Sequence, residues 1–288
     1  MWLIYSISCA LSDSIASLGN KKLVSRKLDP VAISYFVHAL GAFGFLVLAL
    51  YSGQNIFDIS PFSLGLVALT AALAALAGVL ILISLKKGDL SLIAPIQTLT
   101  PLFVLIIAIF FLKQSPGPVG LIGILLVVIG GIFLDKNPHE SVVSVLKRIV
   151  SYQPALIAVA AAVLFAIASI LDQIGLESAG IGIWILYVYF FIFLFLTPVV
   201  VLSRRKTLPA LKNHLPLLVF VTGFHVLAIF LQFSALTLKS ASYVMSIKRL
   251  SSVFAVLLAS IFLKEKRAVS RIPGAVIMVA GAILIGLS

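Results

Sequence analysis

Residues 61–85, PFSLGLVALTAALAALAGVLILISL, decide the fold, because they contain no charged residue over a length that can cross a bilayer. A transmembrane helix needs about 20 mostly apolar residues, and a helix satisfies its own backbone hydrogen bonds in lipid. The same composition holds for the whole chain, since 62% of its 288 residues are hydrophobic and 10% are charged. A water-soluble domain could not cover that much apolar surface. The sequence therefore predicts an all-α integral membrane protein.

Including that stretch, the chain contains ten apolar runs, and each is long enough to cross a membrane as a helix. Several runs begin at a proline, which a helix accepts at its first position because that N–H has no partner. The longest polar gap predicts three parts: a five-helix repeat at 1–135, a polar connecting loop at 136–152 and a second five-helix repeat at 153–288. The ten predicted transmembrane helices are 2–20, 30–52, 61–85, 90–112, 116–134, 153–176, 180–202, 215–237, 241–263 and 271–288.

The two halves of the chain look like copies of one another. The triplet Phe-Leu-Lys at 111–113 recurs at 262–264, and Gly123 recurs as Gly274. Because each copy has an odd number of helices, the second copy must be inverted in the membrane. Many secondary carriers have inverted repeats and bind substrate near the midplane between them. A duplicated membrane scaffold without a transport role is the alternative.

The positive charges indicate the topology. Of the 21 Lys and Arg residues, 17 lie in odd-numbered connections between the predicted helices, and the even-numbered connections hold only Lys113 and Lys239. By the positive-inside rule the odd connections are cytoplasmic and both termini lie outside. The net charge of +12 is thus a topology signal and does not indicate a nucleic-acid partner. The location that we expect is the plasma (inner) membrane.

Two segments carry a resemblance to a known family. One runs from Pro101-Leu102-Phe103 to Gln114, and the other from Ser252-Val253-Phe254 to Glu265; each is followed by a glycine-spaced helix. They resemble the EamA type of the drug/metabolite transporter superfamily, whose pattern has a proline, an apolar helix and a Leu-x-Glu end. Here Gln114 replaces the first glutamate and Ser252 the second proline. The resemblance implies ten helices, two inverted repeats and transport of small metabolites. Members of the superfamily are often drawn with both termini in the cytoplasm. The count of positive charges here predicts the opposite orientation, with both termini outside.

Lys248 and Arg249 are the most informative polar residues. They lie about 10–12 Å into the ninth predicted helix, at about 1.5 Å per residue. Each cation costs about 2.5–3.5 kcal/mol at a helix centre, so such residues usually face a cavity or a partner. Organic-phosphate and nucleotide-sugar members of the superfamily carry a Lys-Arg pair in this helix, and the resemblance implies that the pair binds an anionic group. Snorkelling to a headgroup or pairing with a buried carboxylate is the alternative.

Further candidates follow from the repeat and from the other buried polar residues. Gln97 matches Lys248 in the first copy, and Tyr35 and Tyr187 form a repeat-related pair; all three are candidate substrate-binding residues. Asp13, Asp172 and His225 are candidates for coupling to protons or for a counter-ion role. For Asp172 we favour the structural counter-ion, and for His225, as for His38, we favour a neutral packing role over a proton relay.

These observations favour a secondary carrier of a small metabolite, with an anionic substrate as one option and with protons or a counter-substrate as candidate coupling species. The sequence has no Gly-Lys-Ser/Thr phosphate loop, which excludes ATP-driven transport within this chain. We expect no enzyme activity, no cofactor and no metal, because the sequence has no catalytic or metal-binding spacing of residues. The single cysteine, Cys9, also cannot form a disulfide within the chain. A non-transporting receptor or assembly protein, or an intramembrane enzyme, is the alternative.

Overall fold

The computed structural model describes residues 1–87, 96–135, 151–203, 208–262 and 271–288. Within these ranges all regular structure is helical. The twelve helices are α1 (Trp2–Ser25), α2 (Pro30–Tyr51), α3 (Pro61–Lys87), α4 (Thr100–Leu112), α5 (Pro118–Asp135), α6 (Gln153–Ala179), α7 (Ile181–Ser203), α8 (Leu208–Lys212), α9 (Leu215–Leu236), α10 (Ala241–Lys248), α11 (Ser251–Phe262) and α12 (Ile272–Gly286).

The predicted all-α membrane architecture is confirmed. Six apolar stretches, in α2, α3, α6, α7, α9 and across α10 and α11, are long enough to cross a membrane, and α4, α5 and α12 are shorter apolar helices. With α1, which has 24 residues, they make ten membrane helices. Large apolar side chains at mid-helix positions, such as Phe43, Leu76 and Val279, are exposed on the outside of the protein, as expected for a surface covered by lipid.

Some boundaries differ from those predicted from the sequence. Helix α1 continues to Ser25, because the polar residues 20–22 extend it beyond the apolar run. The ninth predicted helix, 241–263, is interrupted and consists of α10 and α11. The start of the fourth predicted helix, most of the loop predicted at 136–152, and Glu265 lie outside the described residues.

Small residues allow the closest pairing of helices, which joins α5 to α12. A Cβ atom on Gly123 would lie 2.8 Å from the carbonyl oxygen of Gly281, and one on Gly130 would lie 2.6 Å from the amide nitrogen of Met278. Side chains at these positions would separate the two backbones, so glycine is required for the observed approach. The other extensive pairings are α3 with α6, α1 with α9 and α2 with α7.

Contacts at or beside the helix termini define the two ends of the bundle. At one end, the Lys239 ammonium lies 5.5 Å from the centre of the Trp2 ring, and the hydroxyls of Ser63 and Ser178 are 2.9 Å apart. We call this end the terminal face, because Gly286 near the C-terminus also lies there, beside Leu3.

The opposite end we call the basic face. There Arg26 is hydrogen-bonded to His214 at 2.8 Å, and the Tyr152 hydroxyl donates to the carbonyl oxygen of Lys87. These residues lie in or beside odd-numbered connections, whereas those of the terminal face lie in or beside even-numbered connections and the chain ends. A chain that crosses the membrane ten times has both termini and all even-numbered connections on one side, and the two faces agree with this.

Candidate functional site

A break in the ninth membrane helix positions Lys248. Helix α10 ends at this residue and α11 begins at Ser251. At the break, the N–H groups of Arg249 and Leu250 donate to carbonyl oxygens three residues earlier, at 3.1 and 2.9 Å, instead of four. Such a 3₁₀ turn inside a helix often marks a hinge. Both Lys248 and Arg249 are half-buried.

The fourth membrane helix breaks at the matching place. Residues 96–97 are helical, residues 98–99 form a turn, and α4 begins at Thr100. The N–H of Leu99 donates to the carbonyl oxygen of Ile96 at 3.1 Å, again three residues back. Proline does not account for both breaks, because Pro101 follows the first and Ser252 stands in its place after the second.

The ammonium group of Lys248 meets a neutral partner. It donates a hydrogen bond to the side-chain oxygen of Gln232, which lies on α9 and is 4% exposed. Lys248 also interacts electrostatically with Asp172 and His225. Among the residues that the structure describes, no carboxylate forms an ion pair with Lys248. Its charge is therefore not neutralised by a direct contact within those residues.

The buried carboxylate of Asp172 has a different main partner. It accepts a hydrogen bond from the indole nitrogen of Trp184 at 2.9 Å, and both side chains are buried. The indole ring lies directly over Gly175, where any side chain would overlap it. Asp172 thus holds α6 against the beginning of α7, and its interaction with Lys248 acts over a longer distance.

Gln173, next to Asp172, joins three membrane helices and was not singled out from the sequence. Its side-chain nitrogen donates to the side-chain oxygen of Gln114 at 3.2 Å, and its side-chain oxygen accepts from the N–H of Ala241 at 2.7 Å. The second bond satisfies an N–H at the start of α10 that has no partner within the helix. A buried intramembrane glutamine was the signal that could have identified it.

Three rings from three helices form a polar cluster at the centre of the bundle. The centre of the His38 ring lies 5.1 Å from that of Tyr189 and 5.8 Å from that of His225. The hydroxyl of Tyr189 is buried and has no hydrogen-bond partner among the described residues. Asp13, on α1, interacts electrostatically with Tyr189 and His225.

Four polar residues lie close together inside the bundle. Asp13, His38, His225 and Lys248 come from four different helices, and each is half-buried. His225 interacts electrostatically with the other three residues. We call these four residues the central polar group.

The remaining candidates lie elsewhere. The Tyr187 hydroxyl donates to the carbonyl oxygen of Ile56 at 3.0 Å, towards the terminal face. Tyr35 lies near the start of α2 at the basic face, with its ring centre 4.9 Å from that of Phe193. The side-chain nitrogen of Gln97 donates to the carbonyl oxygen of Ala158 at 3.4 Å. The structure thus gathers Asp13, His225 and Lys248 in the central polar group and places Tyr187 and Tyr35 near opposite ends of the bundle.

A bundle of ten apolar helices with charged groups at its centre defines an integral membrane protein of the transporter class. The model of the EamA-like transporter family matches residues 1–134 and 153–287, so this chain belongs to that family. It is therefore a transporter of the drug/metabolite type, which takes a small-molecule substrate and lies in membrane lipid. A crystal structure of a protein of 13% sequence identity has the same fold, with a TM-score of 0.81 over 99% of this chain and 96% of the other. No curated protein matches the chain.

Proposed function

We propose that the protein is a secondary, ATP-independent carrier of a small metabolite with an anionic group. The observation that supports this most strongly is Lys248, a cation of the central polar group beside a helix break, whose hydrogen-bond partner is neutral. An unpaired cation inside the membrane is costly and usually belongs to a substrate or ion pathway. An anionic ligand would supply the missing charge.

Arg249 extends this anionic subsite. Adjacent residues of a helix diverge by about 100°, but Lys and Arg side chains are long enough to flank one group. The Arg fork suits a carboxylate or phosphate and the ammonium acts as a point charge. Gln97, Tyr35 and Tyr187 belong to the proposed pathway through their repeat-related positions, with the tyrosines nearer its two ends.

The pattern of helix contacts supports an arrangement of two inverted repeats, 1–135 and 153–288. When each helix is exchanged for its counterpart in the other half, the pair α3–α6 becomes α9–α1, and α3–α7 becomes α9–α2; all four pairs are in contact. The pairs α2–α7 and α5–α12 map onto themselves. A two-fold axis in the membrane plane would produce this pattern.

Alternating access would use the two helix breaks as hinges. Residues 98–99 and 249–250 occupy matching positions in the two halves, and each break has 3₁₀ hydrogen bonds in place of α-helical ones. At the terminal face, Gln173 bonds Gln114, which follows α4, to the start of α10. We propose that these bonds hold this end closed. Opening would require Gln173 to release at least one of these partners.

The orientation and coupling that we propose follow from the charges. The basic face is cytoplasmic in the plasma (inner) membrane, and the termini are outside. Asp13 and His225 belong to the central polar group and are candidates for coupling to protons or to a counter-substrate. For Asp172 we propose a structural role, because it is the acceptor for Trp184.

Flux in proteoliposomes tests the proposal. Purified protein without ATP should move labelled organic anions down an imposed gradient, and Lys248→Gln should lower the rate while Lys212→Gln, an exposed lysine, should not. Binding without flux would favour a receptor. Conversion of a bound compound into a product would favour an enzyme.

A further inference from the structure

Lys239 departs from the charge pattern of the molecule. It is one of only two cations in the even-numbered connections, which belong to the terminal face. Its ammonium nitrogen lies 4.7 Å from the ring centre of Tyr243 and 5.5 Å from that of Trp2. Both distances fall within the range of about 6 Å over which a ring face attracts a cation. No carboxylate in the described part of the chain forms an ion pair with Lys239. We call these three residues the cation–π cluster.

The cation–π cluster joins the two halves of the chain. Trp2 lies on α1, whereas Lys239 immediately precedes α10 and Tyr243 lies on it. The ring centres of Trp2 and Tyr243 are 6.1 Å apart, and Tyr243 is 6% exposed. The Tyr243 hydroxyl also lies against Gly120 on α5, where any side chain would overlap it. The start of α10 is thus held by two helices of the first half.

The position of the cation–π cluster relative to the helix break gives it leverage. It lies at the start of α10, and the break at 249–250 follows the other end. Helix α10 has eight residues, which correspond to a length of about 12 Å. A rotation about the break would therefore move the start of α10 further than any other part of this helix. Contacts at the start oppose such a rotation most effectively.

We propose that Lys239 is a gating residue, whose cation–π contacts hold the start of α10 against α1 and keep the terminal face closed. This inference rests on the alternating access of the proposed function. It adds a charged contact to the hydrogen bond by which Gln173 joins the same end of α10 to α6. Opening would move the ammonium group from the two rings into water. Removal of the cation should therefore shift the equilibrium towards the open conformation by about two- to thirtyfold.

Cys9, the single native cysteine, can report this opening. It is 1% exposed and lies on α1, seven residues after Trp2. Residues seven apart share one face of a helix, so Cys9 lies about 10 Å deeper on the face that carries Trp2. Trp2 packs against Tyr243, and α1 is in contact with α10. Separation of α10 from α1 should therefore make Cys9 accessible.

The test measures how fast a small polar thiol reagent labels Cys9 in purified protein in nanodiscs, where both faces can be reached. Wild type should react slowly, and Lys239→Gln should react about two- to thirtyfold faster. Lys239→Arg keeps a cation over the rings and should react at close to the wild-type rate. Lys113→Gln is the matched control, because Lys113 is the other cation of the even-numbered connections and is exposed.

Trp2→Leu provides a second variant that removes a ring and leaves the lysine. It should also accelerate the labelling of Cys9. The double variant with Lys239→Gln should show less than the product of the two single effects, because both changes remove the same contact. A general loosening of the protein would instead multiply the two effects and lower the unfolding temperature, which is measured in parallel.

Four results would overturn the inference: wild-type labelling rates in folded Lys239→Gln or in Trp2→Leu, equal acceleration by Lys113→Gln, strong acceleration in Lys239→Arg, or independent effects in the double variant. If Lys239→Gln does not fold, Trp2→Leu and Lys239→Arg decide the matter. Flux by the wild type, with unchanged labelling in the variants, would remove this inference and leave the carrier proposal standing. Faster labelling in the variants, with no flux by the wild type, would keep the gating contact and remove the carrier.

Discussion

Lys248 donates a hydrogen bond to Gln232, and this contact joins α10 to α9 immediately before the break in the ninth membrane helix. The partner is an amide and not a carboxylate. The contact therefore fixes the position of the ammonium group without cancelling its charge. This combination suits a site that must hold a cation ready for an anionic ligand.

Gln232→Glu tests this relationship. The new carboxylate would pair with Lys248 and compete with an anionic ligand, so affinity for that ligand should fall by about ten- to a hundredfold while the protein stays folded. Calorimetry with any anion that the wild type binds provides the measurement. Gln54→Glu, in an exposed loop, is the matched control. Unchanged affinity in Gln232→Glu would place the ligand away from Lys248.

Asp172 should prove to be a structural acceptor. Asp172→Asn keeps an oxygen for the Trp184 indole and should preserve both stability and pH-driven flux. Asp172→Ala leaves a buried N–H unpaired and should destabilise the protein by about 1–3 kcal/mol. Thermal unfolding in detergent and flux under a pH gradient measure the two effects. If Asp172→Asn abolishes pH-driven flux but keeps exchange, Asp172 is a coupling residue instead.

Gly123 should tolerate no larger residue. Gly123→Ala would place a methyl group 2.8 Å from the carbonyl oxygen of Gly281, so we expect a loss of about 1–3 kcal/mol and a lower unfolding temperature. Gly44→Ala is the matched control, because nothing lies within 4 Å of a Cβ atom there, and it should be neutral or slightly stabilising. Equal unfolding temperatures for the two variants would contradict the observed packing of α5 on α12.

The orientation of the protein can be tested by labelling single cysteines in a Cys9→Ser background, since Cys9 is the single native cysteine. Ser52→Cys at the terminal face should react with an impermeant reagent on intact cells, and Lys212→Cys at the basic face should react only after permeabilisation. Both positions are exposed, so accessibility within the protein does not limit either reaction. The reverse result would show that the termini are cytoplasmic.

Much of the fold was predictable because each membrane helix must be a long apolar run. The break at 249–250 was not, because neither proline nor glycine marks it. It accompanies a contact with Gln232, a distant part of the sequence. Tyr35 and Tyr187 occupy matching positions in the two copies, but this match does not tell how far apart the two side chains lie. In the structure they lie near opposite ends of the bundle.

The charged residues of the central polar group were recognisable because charge is costly in the membrane. Their neutral partners were not. Gln232, Gln173 and Tyr189 carry polar groups that membrane helices often use for packing contacts. The role of the two glutamines becomes visible only when their partners are known, and Tyr189 stands out only because its hydroxyl has no hydrogen-bond partner among the described residues.

Transport by Lys248 variants tests the central claim most directly. Proteoliposomes with wild type, Lys248→Arg, Lys248→Gln and the control Lys212→Gln are compared for the initial rate of uptake of a labelled anionic metabolite without ATP, after equal incorporation of folded protein is verified. The account predicts uptake by the wild type and the control, reduced uptake with Lys248→Arg, and a loss of about tenfold or more with Lys248→Gln. Wild-type rates in folded Lys248→Gln would contradict it.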